Sequence, residues 1–194
     1  MSSEMRTRPH RALFLDRDGV INVNHGYVYR PQDVEFIDGI FALCLAAQKL
    51  GYRIIVITNQ SGIARRYYSQ ADFAHLRRWL EHQFWRHGIR ITHTYHCPHH
   101  PDMNGAFGHA CCCRKPRPGM IVRAARQFDI DLSRSLLVGD SESDIECAHL
   151  AGVGRAVHLM ARDRHPGPPL LHSRRKGVWL SRALSAIIPL LNPN

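Results

Sequence analysis

No apolar run in the 194-residue chain approaches the roughly 20 residues that a membrane helix requires. Residues Met1 to His10 are polar and basic and lack the apolar stretch of a secretory signal, so the expected location is the cytoplasm. Runs of basic residues are equally scarce. The net charge is +10, yet the nearest thing to a basic tract is Arg174-Arg175-Lys176, which reads as solvated surface rather than a nucleic-acid patch. The positive balance favours anionic partners without choosing among phosphorylated small molecules, nucleic acid and lipid headgroups. Cysteines number six, and four of them (Cys97, Cys111, Cys112, Cys113) crowd one short region. In a cytosolic protein that pattern points to metal, not to a disulfide framework. Cys44 and Cys147 stand apart in helical patterns. The composition, 44% hydrophobic and 22% charged, is ordinary for a globular protein, and the length suits a single domain over residues 1–194 with a core from about 11 to 190.

What is present is an alternation of short buried runs and helical patterns. Ala12-Leu13-Phe14-Leu15 is too short for a helix and reads as a buried strand that stops at Asp16. A turn-rich loop follows, containing Gly19, Asn22, Asn24, Gly26 and Pro31. Ile40 to Leu50 has a helical face ended by Gly51. Ile54 to Ile57 is β-branched and strand-like, stopping at Thr58-Asn59-Gln60-Ser61. Ser69 with Asp72 caps a helix that buries Phe73, Leu76, Leu80 and Phe84. A third strand falls near Ile91 to Tyr95, and Cys97 to Cys113 has no apolar period. Pro118 opens a helix through about Phe128, packing Ile121, Val122, Ala125 and Phe128. Leu136-Leu137-Val138 is a fourth strand ending at Gly139-Asp140. A short helix to Gly152 and a strand over Ala156–Leu159 come next. Arg162 to Lys176 reads as a surface loop, and a last helix near Leu180–Ile188 closes the core. Such alternation implies an α/β fold, a doubly wound parallel sheet with helices on both faces.

Ligands of such sheets bind beyond the carboxyl ends of the strands. Three strands end in polar clusters: Asp16-Arg17-Asp18, Thr58 to Ser61, and Asp140. Adjacent strands would bring all three into one crevice. Of two carboxylates one residue apart, one can attack phosphorus and the other can act as a general acid/base. A hard cation such as Mg2+ would remove their repulsion from a phosphate, and Asp140 could supply another ligand, with Asp144 one helical turn later. Thr58 offers a hydroxyl to a phosphoryl group, and Asn59, Gln60 and Ser61 offer backbone donors. Lys115 is a cationic partner for the same oxygens, and Arg114 could fork onto a second anion. Taken alone, Asp-x-Asp more often marks a solvated loop, and a Thr-Asn-Gln-Ser run a simple turn.

Together these residues resemble the haloacid-dehalogenase-type phosphatases. Asp16-Arg17-Asp18-Gly19-Val20-Ile21-Asn22 is similar to their first motif. Thr58 to Arg65, Arg114-Lys115-Pro116, and Gly139-Asp140 with Asp144 resemble the next three, in order. Within that group, Asn24-His25-Gly26-Tyr27, Phe36-Ile37-Asp38-Gly39 and Cys97-Pro98-His99-His100-Pro101 resemble the phosphatases of heptose 1,7-bisphosphate in lipopolysaccharide-core precursor synthesis. The resemblance implies that Asp16 is the nucleophile and Asp18 the acid/base. It implies Mg2+ at Asp16, Asp18 (through its carbonyl) and Asp140, and Thr58 and Lys115 on the transferring phosphoryl. Arg114 and the segment Asn24, His25, Gly26, Tyr27 would hold the rest of a small-molecule sugar bisphosphate. No segment between the first two motifs is long enough for a separate cap domain. Ser141 departs from the pattern, in which a Lys follows the metal-binding Asp.

Cys97-x-His99 and Cys111-x-Cys113 form a three-cysteine, one-histidine set suited to a structural Zn2+. The resemblance strengthens this reading, since these enzymes commonly carry such a zinc loop, here residues 97–113. Cys112 is expected to point away, and His93, His96, His100 and His109 to be ordinary core or surface residues. The expected protein is a monomer with neither nucleic-acid nor membrane partners. Competing readings are a sister phosphatase acting on histidinol phosphate, one acting on polynucleotide 3′-ends, and a non-catalytic zinc-stabilised nucleic-acid-binding module. The last leaves Asp16, Asp18 and Asp140 without a role, since acidic clustering repels a phosphate backbone.

Overall fold

Apolar side chains alternate along the first strand, and that alternation divides the core into two layers. In β1 (Arg11–Leu15), Leu13 and Leu15 face one side and Ala12 and Phe14 the other, as the two-residue period of a strand requires. A computed structural model describes residues 9–160, 171–175 and 177–192. The first layer packs the sheet against α1 (Ile40–Lys49), α3 (Gln70–Arg86) and a C-terminal 3-10 helix (Leu184–Leu191). The second packs it against α4 (Gly119–Phe128) and α5 (Glu142–Ala151).

The remaining strands are β2 (Tyr52–Asn59), β3 (Ile91–Cys97), β4 (Leu136–Gly139), β5 (Arg155–Leu159), β6 (Leu171–Arg175) and β7 (Val178–Ser181). Their order is β3-β2-β1-β4-β5-β7-β6. Every neighbouring pair is parallel except β6 with β7. The doubly wound parallel fold expected from the sequence is therefore present, with no separate cap among the described residues. Because β1 is central, with β2 on one side and β4 on the other, the three polar strand ends lie together. A four-residue helix, α2 (Ser61–Ala64), leaves the end of β2.

The capping box at Ser69 and Asp72 forms as expected: Asp72 N–H donates to the Ser69 hydroxyl (3.1 Å) and Ser69 N–H to the Asp72 carboxylate (2.8 Å). Phe73, Leu76, Leu80 and Phe84 are the buried residues of α3.

Three expectations need correction. On α4 the buried residues are Met120, Ile121 and Ala124, with Ala125 and Phe128 partly buried against the core. Val122 instead lines a surface groove, because it lies off the stripe formed by Ile121, Ala124, Ala125 and Phe128, whose spacing of three and four residues defines the buried face. Leu180 belongs to β7, where it pairs with His158, and only from Leu184 does the chain coil as a 3-10 helix containing Pro189. That helix still closes the core through Leu184, Ile187 and Leu191. Leu171–Arg175 is an edge strand and not loop. The rest of the basic segment, 162–170 and Lys176, lies outside the described residues. Among the described residues no helix is long and apolar enough to cross a membrane.

Candidate active site

Parallel pairing brings the three strand ends into register. Asp16 follows β1, and its N–H donates to Val138 O of β4 (3.0 Å). Asp140 follows β4, and Thr58 and Asn59 finish β2. One carboxylate oxygen from each of Asp16, Asp140 and Asp144 can lie within 4.8 Å of the others. Lys115 reaches into this group from the loop before α4. Its Nζ lies 2.9 Å from Asp16 Oδ1, 2.6 Å from Asp144 Oδ1 and 3.1 Å from Ile57 O.

The position of Lys115 is set by Asn59. The Asn59 amide donates to Lys115 O (3.1 Å) and accepts from Lys115 N–H (3.0 Å), a two-point clamp between β2 and the loop. Asp144 is fixed in turn by Ser141, whose N–H and hydroxyl donate to Oδ2 at 3.2 and 2.6 Å. Ser141 thus caps α5 and orients a buried carboxylate. Gly19 is required at its place. A Cβ there would come within 1.9 Å of the Asp140 carboxylate, and its φ is +87°.

Three carboxylates against one ammonium leave an excess of negative charge in a mostly buried space. Burial pushes the Asp16 carboxyl up to about 7, with Lys115 opposing and Asp144 and Asp140 reinforcing. Asp140 is pushed up to about 6, first by burial and then by Asp144. Burial alone would lower the Lys115 pKa, but Asp16 and Asp144 outweigh it and hold the ammonium charged. Oxygen-only donors and uncompensated charge suit a hard divalent cation, so the donor set fits one.

Asp18 lies elsewhere. Its carboxylate is outside that group and accepts from Arg17, Asn22 (3.0 Å) and Gln60 (3.3 Å). Gln60 also donates to the Thr58 hydroxyl (2.8 Å) and accepts from Tyr68 (2.6 Å). Sequence reasoning did not single out Arg17, Tyr68 or the clamp at Asn59. An Arg between two acids reads as surface, yet Arg17 is only 2% exposed.

These groups line a cleft of about 340 Å³. Asp16, Asp18, Asn24, Gly26, Tyr27, Thr58, Asn59, Gln60, Ser61, Lys115 and Asp140 all border it, with Tyr68, Ser141 and Ser143. Two of the expected substrate residues do not. His25 is exposed and sits 3.2 Å from Glu35, while Arg114 donates to His99 O (3.3 Å) at the base of the cysteine loop. A larger groove of about 670 Å³ beside α4, lined by Cys112, Arg117, Arg123 and Arg126, contains none of the carboxylates. Size alone does not locate the chemistry.

The cysteine loop gathers its four expected ligands. Cys97 Sγ is 3.4 Å from Cys111 Sγ and 3.6 Å from His99 Nδ1; Cys113 Sγ is 3.2 Å from Cys111 Sγ and 3.5 Å from His99 Nδ1. Tetrahedral ligands at about 2.0–2.3 Å from a zinc stand roughly 3.3–3.8 Å apart, so the set fits that ion. Cys112 is exposed and outside it. Cys97 ends β3, and its carbonyl accepts from Gln60 N–H (2.7 Å), which seats the loop directly beside the cleft.

A HAD-hydrolase-like family model matches residues 112–166. A D-glycero-alpha-D-manno-heptose-1,7-bisphosphate 7-phosphatase of Burkholderia mallei is 50% identical over 155 residues, 79% of this chain and 82% of the relative. The chain belongs to this 7-phosphatase family. A member from Salmonella typhi, named for the beta anomer, is 43% identical over 90% of this chain and 91% of its own length. The family thus includes proteins named for either anomer. Among solved structures, a HAD-like phosphatase from Mesorhizobium loti aligns with a TM-score of 0.82 at 28% identity, covering 100% of this chain and 93% of that one. The D,D-heptose 1,7-bisphosphate phosphatase of B. bronchiseptica, complexed with magnesium and phosphate, aligns at 0.76 and 26% identity, covering 93% and 97%.

Proposed function

We propose that this chain, acting as a single phosphatase domain, removes the C7 phosphate of D-glycero-D-manno-heptose 1,7-bisphosphate and leaves the 1-phosphate. The observation that carries this reading is the placement of Asp16. Its side chain is 13% exposed, opens onto the cleft, and is backed by Lys115 and two further carboxylates in a chain of this family. In the first step the Asp16 carboxylate attacks phosphorus, the P–O bond to the sugar breaks, and protonated Asp18 gives its proton to the departing oxygen. In the second, water attacks the aspartyl-phosphate, Asp18 takes the water proton, and Asp16 leaves as a carboxylate with release of inorganic phosphate. Lys115 and Thr58 hold the phosphoryl oxygens as charge shifts toward the leaving group.

Asp16 and Asp140, with the Asp18 carbonyl, would hold Mg2+, and Asp144 would complete the acidic surround. The bound ion would supply charge neutralisation that lets a carboxylate approach a phosphate dianion. Asn24, Gly26 and Tyr27 form the cleft wall available to the sugar, consistent with recognition by loops in place of a cap. Zn2+ at Cys97, His99, Cys111 and Cys113 would be structural, with all four positions filled by protein.

The test is phosphate release from both anomers of the heptose bisphosphate, from histidinol phosphate and from a 3′-phosphorylated oligonucleotide, each with Mg2+ and with EDTA. The expected result is Mg2+-dependent release with one heptose anomer preferred over all other esters. Preference for histidinol phosphate or the oligonucleotide by a wide margin would overturn the substrate assignment.

A further inference from the structure

Arg17 is the largest fully buried side chain of the described protein, 2% exposed between the nucleophile loop and α3. Burying a guanidinium is costly, and an apolar side chain of similar volume fills such a space at least as favourably. The contacts show what the charge is used for. Nε lies 3.1 Å from Asp18 Oδ2, and Nη2 lies 2.7 Å from Oδ2 and 2.8 Å from Oδ1. The same Nη2 donates to Val28 O (2.7 Å), one residue beyond Tyr27 of the cleft wall. The face of Phe73 on α3 backs the guanidinium at 5.8 Å. Nη1 has no hydrogen-bond partner, so the group is not placed to satisfy itself; its donors are spent on Asp18 and Val28.

We propose that Arg17 is a positioning residue for the acid/base, holding the Asp18 carboxylate at the cleft wall, clear of the Asp16–Asp140–Asp144 group, and tying it to the sugar-facing loop through Val28. This rests on the phosphatase reading above and adds a residue to it. A fork contact fixes both the rotamer and the roll of a carboxylate, which a single contact from Asn22 or Gln60 does not. Without the fork, Asp18 is free to swing toward the metal group, where neither of its oxygens faces the departing oxygen.

Leaving-group chemistry separates this role from a purely structural one. A sugar alkoxide needs a proton as it departs; 4-nitrophenolate does not. The experiment compares kcat/KM of Arg17→Met and Arg17→Lys with wild type on the heptose bisphosphate and on 4-nitrophenyl phosphate, with thermal melting and zinc content recorded for each. The expected loss for Arg17→Met is about 100-fold or more on the sugar ester, within the range of general acid catalysis, and at least ten-fold smaller on the aryl ester. Arg17→Lys keeps the charge without the fork and should fall between. On the sugar ester Arg17→Met in an Asp18→Asn background should add little, because both changes remove one function.

Equal losses on the two esters, or losses that multiply in the double variant, would overturn the proposal. If Arg17→Met does not fold, the same ratio is read on Arg17→Lys. A wild-type enzyme that ignores heptose bisphosphate but hydrolyses another primary sugar phosphate would sink only the substrate reading, and the ratio is then measured on that ester.

Discussion

The carboxylate site and the cysteine loop sit side by side and are held in opposite ways. Asp16, Thr58 and Asp140 are carried on the ends of strands whose side chains are buried on both faces, so the sheet positions them. The 97–113 segment has no regular structure after Cys97 and little apolar content; it is held by a few backbone turns, such as His100 N–H to Phe107 O (3.0 Å), and by four side chains within 3.2–3.6 Å of their neighbours. Lys115 belongs to both regions. It enters the rigid site from the end of the loop, and Asn59 fastens it to β2. Catalytic geometry on the sheet should therefore survive damage to the loop, while the cation supplied by the loop should not.

The largest expected break is at the junction itself. Lys115→Ala should lower kcat/KM by about 10²–10³-fold, as for an oxyanion-stabilising donor. Because Asp16 and Asp144 would lose their buried partner, it should also destabilise the metal-free fold by about 3–5 kcal/mol. Urea denaturation with and without Mg2+ checks both, and the ion should restore part of the lost stability.

Next is the loop. Removing zinc with a strong chelator, or Cys113→Ser, should lower the melting temperature and cut activity through Lys115, while far-UV circular dichroism changes little. Full activity and an unchanged melting curve in verified zinc-free protein would show that the loop holds itself. Smaller still is a pH effect confined to the rigid site. Asp16 and Asp140 have folded pKa values raised to about 7 and about 6, against an ordinary value of 3.8. The metal-free fold binds more protons than the unfolded chain between those values, so this contribution to stability is present below about pH 4 and is lost as pH rises toward 7. Mg2+ must displace those protons, so its affinity should rise with pH and level off above about 7. Isothermal titration calorimetry in buffers of different ionisation enthalpy would count the protons released.

The same contrast governs what could be read from the sequence. Ala12 to Leu15 and Ile54 to Ile57 announced buried strands because both faces of each are covered, and each stopped at a polar cluster that borders the cleft. The cluster of Cys97, His99, Cys111 and Cys113 was legible because residue type and spacing, not packing, define it. Arg17 was not legible: nothing local distinguishes a guanidinium folded under Phe73 from one in solvent. Nor was the C-terminal region. Val178 to Ser181 owes its strand conformation to pairing with Ala156 to Leu159, a non-local interaction that the helical spacing of the following apolar residues obscures. Asp144 was visible as a carboxylate one turn after Asp140, but its ion pair with Lys115 depends on a loop that arrives from another part of the chain.

The account turns on Asp16 becoming phosphorylated. Asp18→Asn protein mixed with 4-nitrophenyl phosphate and Mg2+, quenched in acid within the first turnover and mapped by mass spectrometry, measures this directly. The account predicts a phosphoryl group on the peptide containing Asp16 and none when Asp16→Asn is added. A phosphoryl group on another residue, or sustained turnover by the Asp16→Asn enzyme, would contradict it.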